Sequence, residues 1–352
     1  MKANEIKRKK GAPMKQGKLS IALIGAGRAG MIHARNFAGS VPNATVGGVA
    51  DPVEEAAASA AAELGGCRYE TDYKKILEDD SIDAVVIATP TKYHCEITLA
   101  AAKAGKHVLC EKPMAMNVEE CEQMERAVKE YGIKLQMAFM RRFDAGFCAA
   151  KEAILQGRIG EVVMVRSNTR GPSIPKPWMY DISKSNGPLA EVNSHDIDSV
   201  RWFCESEFQS VHAIAANYRC PDAKSEFPDF YDNVVMIGEM ANGRQGMIDG
   251  AQGVLYGYDA RTEILGTHGC IFLGRRNENE MVLATSDMNQ QIEFVNSWKY
   301  LFKDAYLSED LAFVNCILED SAPKVTGFDG KMVVATVDAG NRSIRERRIV
   351  LL

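Results

Sequence analysis

A carboxylate and an imidazole stand four residues apart in the stretch GPLAEVNSHDIDSVRW, residues 187–202. The second half of this stretch has helical spacing, which places Glu191, His195 and Trp202 on one helix face. One turn apart, Glu191 and His195 can form a hydrogen bond, and the carboxylate would raise the histidine pKa. A histidine held in this way can act as a general base or acid. A helix-surface pair or a buried structural histidine is the simpler interpretation.

A glycine-rich segment follows the first apolar run of the chain. Leu19–Ile24 has the composition of a buried strand and leads directly into GAGRAG, residues 25–30. The residues that follow, to about Gly39, have helical composition. Strand, glycine turn and helix are the context in which a GxGxxG segment binds a dinucleotide.

Each position of the glycine segment has a physical role in that interpretation. Gly25 permits the tight turn, Gly27 lets the backbone approach a pyrophosphate, and Gly30 allows close packing of helix on strand. Arg28 and Ala29 offer backbone N–H groups to the pyrophosphate at the helix N-terminus.

An acidic residue ends the second predicted strand, residues 44–50. Asp51 lies about 20 residues beyond the last glycine, where a carboxylate can bind both ribose hydroxyls of an adenosine. The next residues, 52–55, are Pro-Val-Glu-Glu and offer no cation to a 2′-phosphate. The segment therefore favours NAD over NADP. Capping of the helix that begins near Pro52 is a second, compatible role for Asp51.

Apolar and helical segments alternate as far as residue 138. The predicted strands are 84–88, 107–110 and 134–138, and the predicted helices are 53–64, 96–104 and 118–131. Repeated β-α-β units predict an α/β Rossmann domain with a doubly wound parallel sheet. Ligands of such sheets lie beyond the carboxyl ends of the strands, where the chain places Thr89, Pro90, Glu111 and Lys112. His94, close after the third strand, either contacts the cofactor or stabilises a helix start.

The pattern changes after Arg142, and an α+β second domain is predicted. A helix at 145–156 precedes alternating segments typical of an open-faced, mainly antiparallel sheet. These strands are 162–169, 211–218, 234–239, 245–251, 262–266 and 270–273, followed by helices at about 298–318 and 330–345. The predicted organisation is a basic flexible tail (1–17), an NAD-binding domain (18–140) and a substrate and oligomerisation domain (141–352).

Composition restricts the class of protein. The chain has 352 residues, 46% of them hydrophobic, and a net charge of −5, which argues against general affinity for nucleic acid. No apolar run is long enough to span a membrane, and no signal peptide is recognisable. Nine scattered cysteines without close ligand spacing predict reduced thiols in a cytoplasmic protein and no metal site. The basic tail is either solvated or lies on a neighbouring subunit.

Four segments in order resemble one family. These are GAGRAGMIHARN (25–36), ATPTKYH (88–94), EKPM (111–114) and HDIDSVRW (195–202). They are similar to the glucose–fructose oxidoreductase / inositol dehydrogenase (Gfo/Idh/MocA) family. Segments 139–144 and 256–259 resemble inositol 2-dehydrogenases in particular. The resemblance implies reversible, NAD-dependent oxidation of a ring hydroxyl of a cyclitol or sugar, and a homo-oligomer built through the second sheet.

The resemblance also assigns catalytic roles. Lys112 matches the family lysine of the EKP motif and would donate to the reacting oxygen beside the nicotinamide. His195 matches the family histidine, the candidate base, and Glu191 stands where the family has aspartate. Glu191 would orient His195 or bind a ring hydroxyl. The Lys112–Pro113 bond is a candidate cis peptide.

Four further side chains are candidate substrate-binding groups. Arg141 and Tyr258 could bind hydroxyls, although a domain-interface ion pair and a sheet-face aromatic are the simpler interpretations. Trp178, in the loop before the catalytic helix, could form a wall of the nicotinamide pocket. Asn168, near the end of a second-domain strand, could reach the same pocket.

Two other functions remain open from the sequence. The altered Glu191 and the proline-rich loop 171–186 leave room for a larger substrate, so a dehydrogenase acting at C3 of glucose or of a glucoside is one alternative. A catalytically silent NAD-binding regulator is the other. Such a regulator could lose Lys112 or His195 without penalty, and both residues are present.

Overall fold

The computed structural model describes residues 17–352, so the predicted basic tail lies almost entirely outside the described residues. A six-stranded parallel sheet forms the first half of the described chain, with the strand order β3-β2-β1-β4-β5-β6. Its strands are β1 (Leu19–Ile24), β2 (Ala44–Ala50), β3 (Arg68–Glu70), β4 (Ala84–Ile87), β5 (His107–Glu111) and β6 (Leu135–Ala138). This order confirms the predicted Rossmann fold, with the crossover between β1 and β4.

Helices connect these strands as predicted, with one addition. They are α1 (Gly30–Gly39), α2 (Glu54–Glu63), α3 (Tyr73–Leu77), α4 (His94–Lys103) and α5 (Val118–Tyr131). The sequence interpretation missed β3 and α3. β3 is a three-residue edge strand with two exposed side chains, so it carries no apolar run or periodicity that could predict it.

The second sheet has seven strands in the order β12-β11-β7-β10-β9-β8-β15. They are β7 (Val162–Gly171), β8 (Phe208–Ala216), β9 (Asn233–Met240), β10 (Gln245–Gln252), β11 (Asp259–Gly266), β12 (Cys270–Leu273) and β15 (Val350–Leu351). A small separate hairpin consists of β13 (Leu283–Ala284) and β14 (Gln290–Gln291). The large sheet is mixed, because β7 and β10 pair in parallel while its other neighbours are antiparallel.

Two predicted helical stretches are interrupted, and the predicted helix 330–345 is unbroken, among the helices of the second half. They are α6 (Ala145–Leu155), α7 (Ile182–Ser185), α8 (Gly187–Glu191), α9 (Ser194–Cys204), α10 (Trp298–Leu301), α11 (Lys303–Leu318) and α12 (Gly327–Glu346). The predicted helix 298–318 is broken at Phe302, whose buried ring contributes to the core. Stretch 187–202 divides into α8 and α9.

The C-terminal segment returns to the first sheet. Phe313 and Val314 of α11 are buried in the same core as β1 and α1, and Gln136 of β6 donates to the backbone oxygen of Glu309. Met137 N donates to Val325 O just before α12. Helix α11 is therefore part of the frame that positions the parallel sheet. Between residues 17 and 352, no helix is long and apolar enough to cross a membrane.

Candidate active site

The glycine segment forms a tight loop between β1 and α1. Gly25 has φ +100°, and a Cβ there would lie 2.7 Å from the carbonyl group of Ala88. A Cβ at Gly30 would lie 2.3 Å from the carbonyl oxygen of Gly25. Gly27, in contrast, has no atom within 4 Å of the Cβ position. Space over Gly27, beside the N-terminus of α1, fits a pyrophosphate.

Asp51 lies against this loop, at the carboxyl end of β2. Its Oδ2 accepts a hydrogen bond from Ala26 N at 2.9 Å, and its Oδ1 accepts from Val53 N at 3.0 Å. The carboxylate therefore contacts the loop and the turn before α2. It does not cap α2 as the sequence suggested, because the N-cap is Val53 and has no side-chain hydrogen bond. Its position beside the glycine loop is the one required for a ribose, while ribose binding itself stays a prediction.

The residues after β4 have separate roles in the structure. Thr89 lines a cleft, and its Oγ1 is buried without a hydrogen-bond partner. Pro90 is exposed and precedes a short 3₁₀ turn. His94 is buried, with Nδ1 2.8 Å from Pro113 O and Nε2 2.8 Å from Thr89 O. Burial lowers the pKa of His94, so its neutral ring donates from one nitrogen only, although a backbone oxygen faces each nitrogen. His94 therefore ties together the ends of β4 and β5.

Lys112 follows β5 and points into the same cleft. Its Nζ donates to the backbone oxygen of Glu191 at 2.7 Å. The adjacent Glu111 also lines the cleft, and its Oε2 accepts from Lys112 N at 3.0 Å. The Lys112–Pro113 peptide bond is cis, as the sequence predicted.

Glu191 and His195 lie on different helices, contrary to the sequence interpretation. Glu191 ends α8, while His195 belongs to the first turn of α9. The structure contains no hydrogen bond between their side chains, and His195 Nδ1 is buried without a partner. The break follows from Asn193, whose amide donates to Asp196 Oδ2 at 2.8 Å and to Asp249 O of β10 at 3.3 Å.

The electrostatic environment of His195 also differs from the predicted one. Burial, together with the positive charges of Lys112 and Arg141, holds the pKa of His195 well below its ordinary value. Burial raises the pKa of Glu191, with Lys112 acting in the opposite direction. The expectation that Glu191 raises the histidine pKa is therefore wrong. His195 is a neutral imidazole that can accept a proton.

Two predicted substrate groups lie behind the cleft wall. Arg141 is buried and donates to Asp196 Oδ1 at 2.8 Å and to Thr169 Oγ1 at 2.6 Å. Asn168 is buried and donates to Asp259 O at 3.3 Å. Neither side chain lines the cleft. Arg141 forms a buried ion pair, but its partner Asp196 lies within residues 141–352 and not across the domain interface that the simpler interpretation had expected. Arg141 and Asn168 both support the sheet beneath the site.

Trp178 and Tyr258 do reach the cleft. Trp178 is 40% exposed on the loop that covers one side, and Tyr258 is buried at the base. Burial raises the pKa of Tyr258 to about 12, although Arg141 acts to lower it. Tyr258 is therefore a neutral hydrogen-bonding phenol.

The cleft has a volume of about 390 Å³ and brings together both halves of the chain. Arg28, Ala29, Lys112 and His195 all line it. Sequence reasoning missed several other lining residues, which come from loops, from the end of β10 and from the start of the C-terminal helices. These include Lys176, Gln252, Asn296, Ser297, Trp298 and Tyr306. No spacing or motif in the sequence marks these positions.

A Rossmann sheet, a glycine loop and a cleft that contains lysine and histidine define a nicotinamide-dependent oxidoreductase. Residues 19–139 match the model of the Gfo/Idh/MocA oxidoreductase family with an NAD-binding Rossmann fold, and residues 147–272 match that family's C-terminal domain. The chain belongs to the Gfo/Idh/MocA family of NAD-dependent oxidoreductases.

Similar proteins cover almost the whole chain. It is 36% identical to an inositol 2-dehydrogenase from Rhizobium meliloti, over 93% of this chain and 97% of that protein. It is 32% identical to a scyllo-inositol 2-dehydrogenase (NAD⁺) from Bacillus subtilis, over 92% and 93%. The structure of scyllo-inositol dehydrogenase from Lactobacillus casei, with bound NAD(H) and scyllo-inositol, superposes with a TM-score of 0.87 at 27% identity, over 95% and 99%.

Proposed function

We propose that this protein oxidises a secondary ring hydroxyl of an inositol to a ketone, with NAD as the hydride acceptor. The observation that carries the proposal is the meeting of Lys112 and His195 in one cleft that also contains the glycine loop. The names of the relatives support an inositol as the substrate.

His195 is the proposed base. Its ring is neutral because burial and two nearby cations oppose protonation. Its Nδ1 is buried, which leaves Nε2 as the nitrogen able to receive the hydroxyl proton. Phe139 packs its ring edge-to-face with the imidazole at 5.9 Å and restricts its orientation. A neutral imidazole held in position at the cleft meets the requirement for general base catalysis.

Lys112 is the proposed partner of the reacting oxygen. The hydrogen bond to Glu191 O holds its ammonium group in the cleft and leaves two further N–H donors for a substrate. A donor at the reacting oxygen stabilises the negative charge that develops as the proton leaves. The bound nicotinamide supplies the hydride acceptor, and Gly27, Arg28, Ala29 and Asp51 are the proposed contacts of its dinucleotide.

Glu191 is the proposed substrate anchor, not the orienting partner of His195. Its side chain is half-buried and lines the cleft, and desolvation raises its pKa. A carboxyl group in this position can donate to or accept from a ring hydroxyl. Trp178 and Tyr258 complete the proposed substrate contacts.

We also infer that the protein is a cytoplasmic homo-oligomer. All nine cysteines are free thiols, which fits a reducing compartment. One face of the seven-stranded sheet is open and carries exposed apolar side chains. These are Val163, Ile214, Val235, Ile237, Leu265 and Phe272. A second copy of the chain is the proposed occupant of this face.

The substrate is tested by adding myo-inositol, scyllo-inositol, glucose and an aryl glucoside separately, with NAD, and measuring NADH absorbance. We expect turnover with an inositol, and at least about 10²-fold lower kcat in Lys112→Ala and in His195→Ala with NAD still bound. If only glucose or the glucoside is turned over, the protein is instead a dehydrogenase that acts at C3 of glucose or of a glucoside. Turnover with none, or near-normal kcat in either variant, would contradict the proposal.

A further inference from the structure

A buried histidine outside the cleft lies between two carboxylates. His33 of α1 has Nδ1 at 2.6 Å from Asp310 Oδ1 and Nε2 at 3.3 Å from Glu111 Oε1. Its side chain is fully buried, and the side chain of Asp310 is fully buried as well. Asn36, one turn further along α1, donates to Asp310 Oδ2 at 2.8 Å. The imidazole therefore joins helix α11 to the end of β5.

The hydrogen-bond geometry favours a charged form of this imidazole. An ionised carboxylate only accepts hydrogen bonds, so a ring that bonds to two carboxylates must donate from both nitrogens. Burial acts against the charged ring, but Asp310 and Glu111 raise the pKa of His33 well above its ordinary value. Two neighbouring buried carboxylates without a cation would be strongly unfavourable. Burial raises the pKa of Asp310, and the hydrogen bonds from His33 and Asn36 act against that rise. The imidazolium is therefore the group between the two acids that favours their ionised forms.

Glu111 connects this imidazolium to the cleft. Its Oε1 faces His33 and its Oε2 accepts from the backbone N–H of Lys112 at 3.0 Å. Although burial opposes ionisation, the hydrogen bond from His33 keeps the pKa of Glu111 below its ordinary value. The contacts form a continuous path from Asp310 through His33 and Glu111 to Lys112, whose ammonium group lies in the cleft.

No other side chain described around His33 supplies a positive charge between Glu111 and Asp310. Tyr306, which lines the cleft, packs its ring edge-to-face with His33 at 5.3 Å. Glu309 is fully buried with neither carboxyl oxygen hydrogen-bonded, and burial raises its pKa well above the ordinary value. Glu309 is therefore neutral and adds no third negative charge beside His33. The nearest cation on the other side of Glu111 is Lys112 itself.

We propose that His33, held by Asp310, is a positioning residue for the reaction: through Glu111 it fixes the backbone of Lys112 and thereby the place of its ammonium group. This inference rests on the proposed role of Lys112. Without the imidazolium, Glu111 loses one of its two fixed partners and turns toward Lys112. A displacement of about 1 Å at a reacting group can lower the rate by about 10²-fold.

The test compares His33→Gln and Asp310→Asn with the unmodified protein, using myo-inositol and NAD. Glutamine retains one donor but not the charge, and asparagine retains the shape of Asp310. We expect kcat to fall by at least about 10-fold and up to about 100-fold, while NADH affinity, measured by fluorescence, is unchanged. If His33→Gln does not fold, kcat and NADH affinity of Asp310→Asn test the proposal.

Glu125→Gln is the matched control. Glu125 of α5 pairs with Lys331 of α12 at 2.7 Å, so it also links a Rossmann helix to a C-terminal helix, but away from the cleft. We expect Glu125→Gln to change thermal stability without changing kcat. Equal kcat in the unmodified protein and in the folded His33 and Asp310 variants would overturn the inference, as would an equal fall in kcat in the control.

An independent measurement separates this inference from the proposed substrate. NMR of ¹⁵N-labelled histidines in the protein alone should show one ring with both nitrogens protonated at about pH 8, far above the usual histidine pKa of about 6.5. That signal should be absent in His33→Gln. If inositols are not turned over, only the proposed function fails. If His33 is neutral at that pH, the positioning inference fails.

Discussion

At the scale of single residues, the cleft combines a neutral base with a nearby cation. His195 is buried beside the positive charges of Lys112 and Arg141. Both charges lower its pKa, and no neighbouring acid is among the groups that shift it. The base is therefore already in its proton-accepting form at neutral pH. Glu191 lies in the same cleft without contacting the imidazole, so its influence is on the substrate and not on the histidine.

The pH dependence of inositol oxidation tests this arrangement. Because His195 acts when unprotonated and its pKa is depressed, kcat/KM should be maintained as the pH falls through the ordinary histidine range near 6.5 and decline only below it. Glu191→Gln should leave this acidic limb where it is. A shift of the limb to lower pH in Glu191→Gln, as the sequence alone predicted, would show that the two side chains are coupled.

At the scale of elements, two glycines in the turn between β1 and α1 are needed for different reasons: one for folding and one for ligand binding. Gly25 has a positive φ and lies against the backbone after β4, so the fold itself requires glycine there. Gly27 faces open space in the protein. Its missing side chain matters only when a ligand occupies that space.

Two alanine substitutions distinguish these requirements. Gly25→Ala should destabilise the protein by about 1–3 kcal/mol because of backbone strain, and more if the close contact with Ala88 does not relax. Gly27→Ala should unfold in urea as the unmodified protein does, yet bind NAD more weakly in calorimetric titration. Unweakened NAD binding by Gly27→Ala would exclude a pyrophosphate at this position.

At the scale of the whole molecule, the two sheets have different surroundings. The parallel sheet is covered on one face by α1 and by α11 from the far end of the chain. The seven-stranded sheet buries one face against α9 and α12, and its other face carries the exposed apolar side chains described above. Exposed apolar side chains grouped on one face of a sheet are a feature of interaction sites.

Charged substitutions on that face test the proposed oligomer. Ile214 and Ile237 lie on neighbouring strands and are 69% and 52% exposed. We expect Ile214→Lys with Ile237→Lys to lower the mass measured by light scattering to that of a smaller assembly. Leu155→Lys is the control, since Leu155 is 62% exposed on α6 and outside the sheet. A monomeric unmodified protein, or a double variant of unchanged mass, would contradict this interface.

The sequence by itself determined those features that depend on local order. The strand, glycine turn and helix at the N-terminus are encoded within about 20 neighbouring residues, and apolar runs identified five of the six parallel strands. The family segments placed Lys112 and His195, and the structure brings both side chains into the cleft. Short, exposed β3 lacked any such signal.

The tertiary structure decided which side chains meet. The break between Glu191 and His195 is made by Asn193, whose partner Asp249 lies 56 residues away, so helical spacing could not reveal it. His33 and Asp310 are 277 residues apart and pair only because α11 returns to the first sheet. Periodicity describes the faces of one element, whereas such contacts depend on how distant elements pack together.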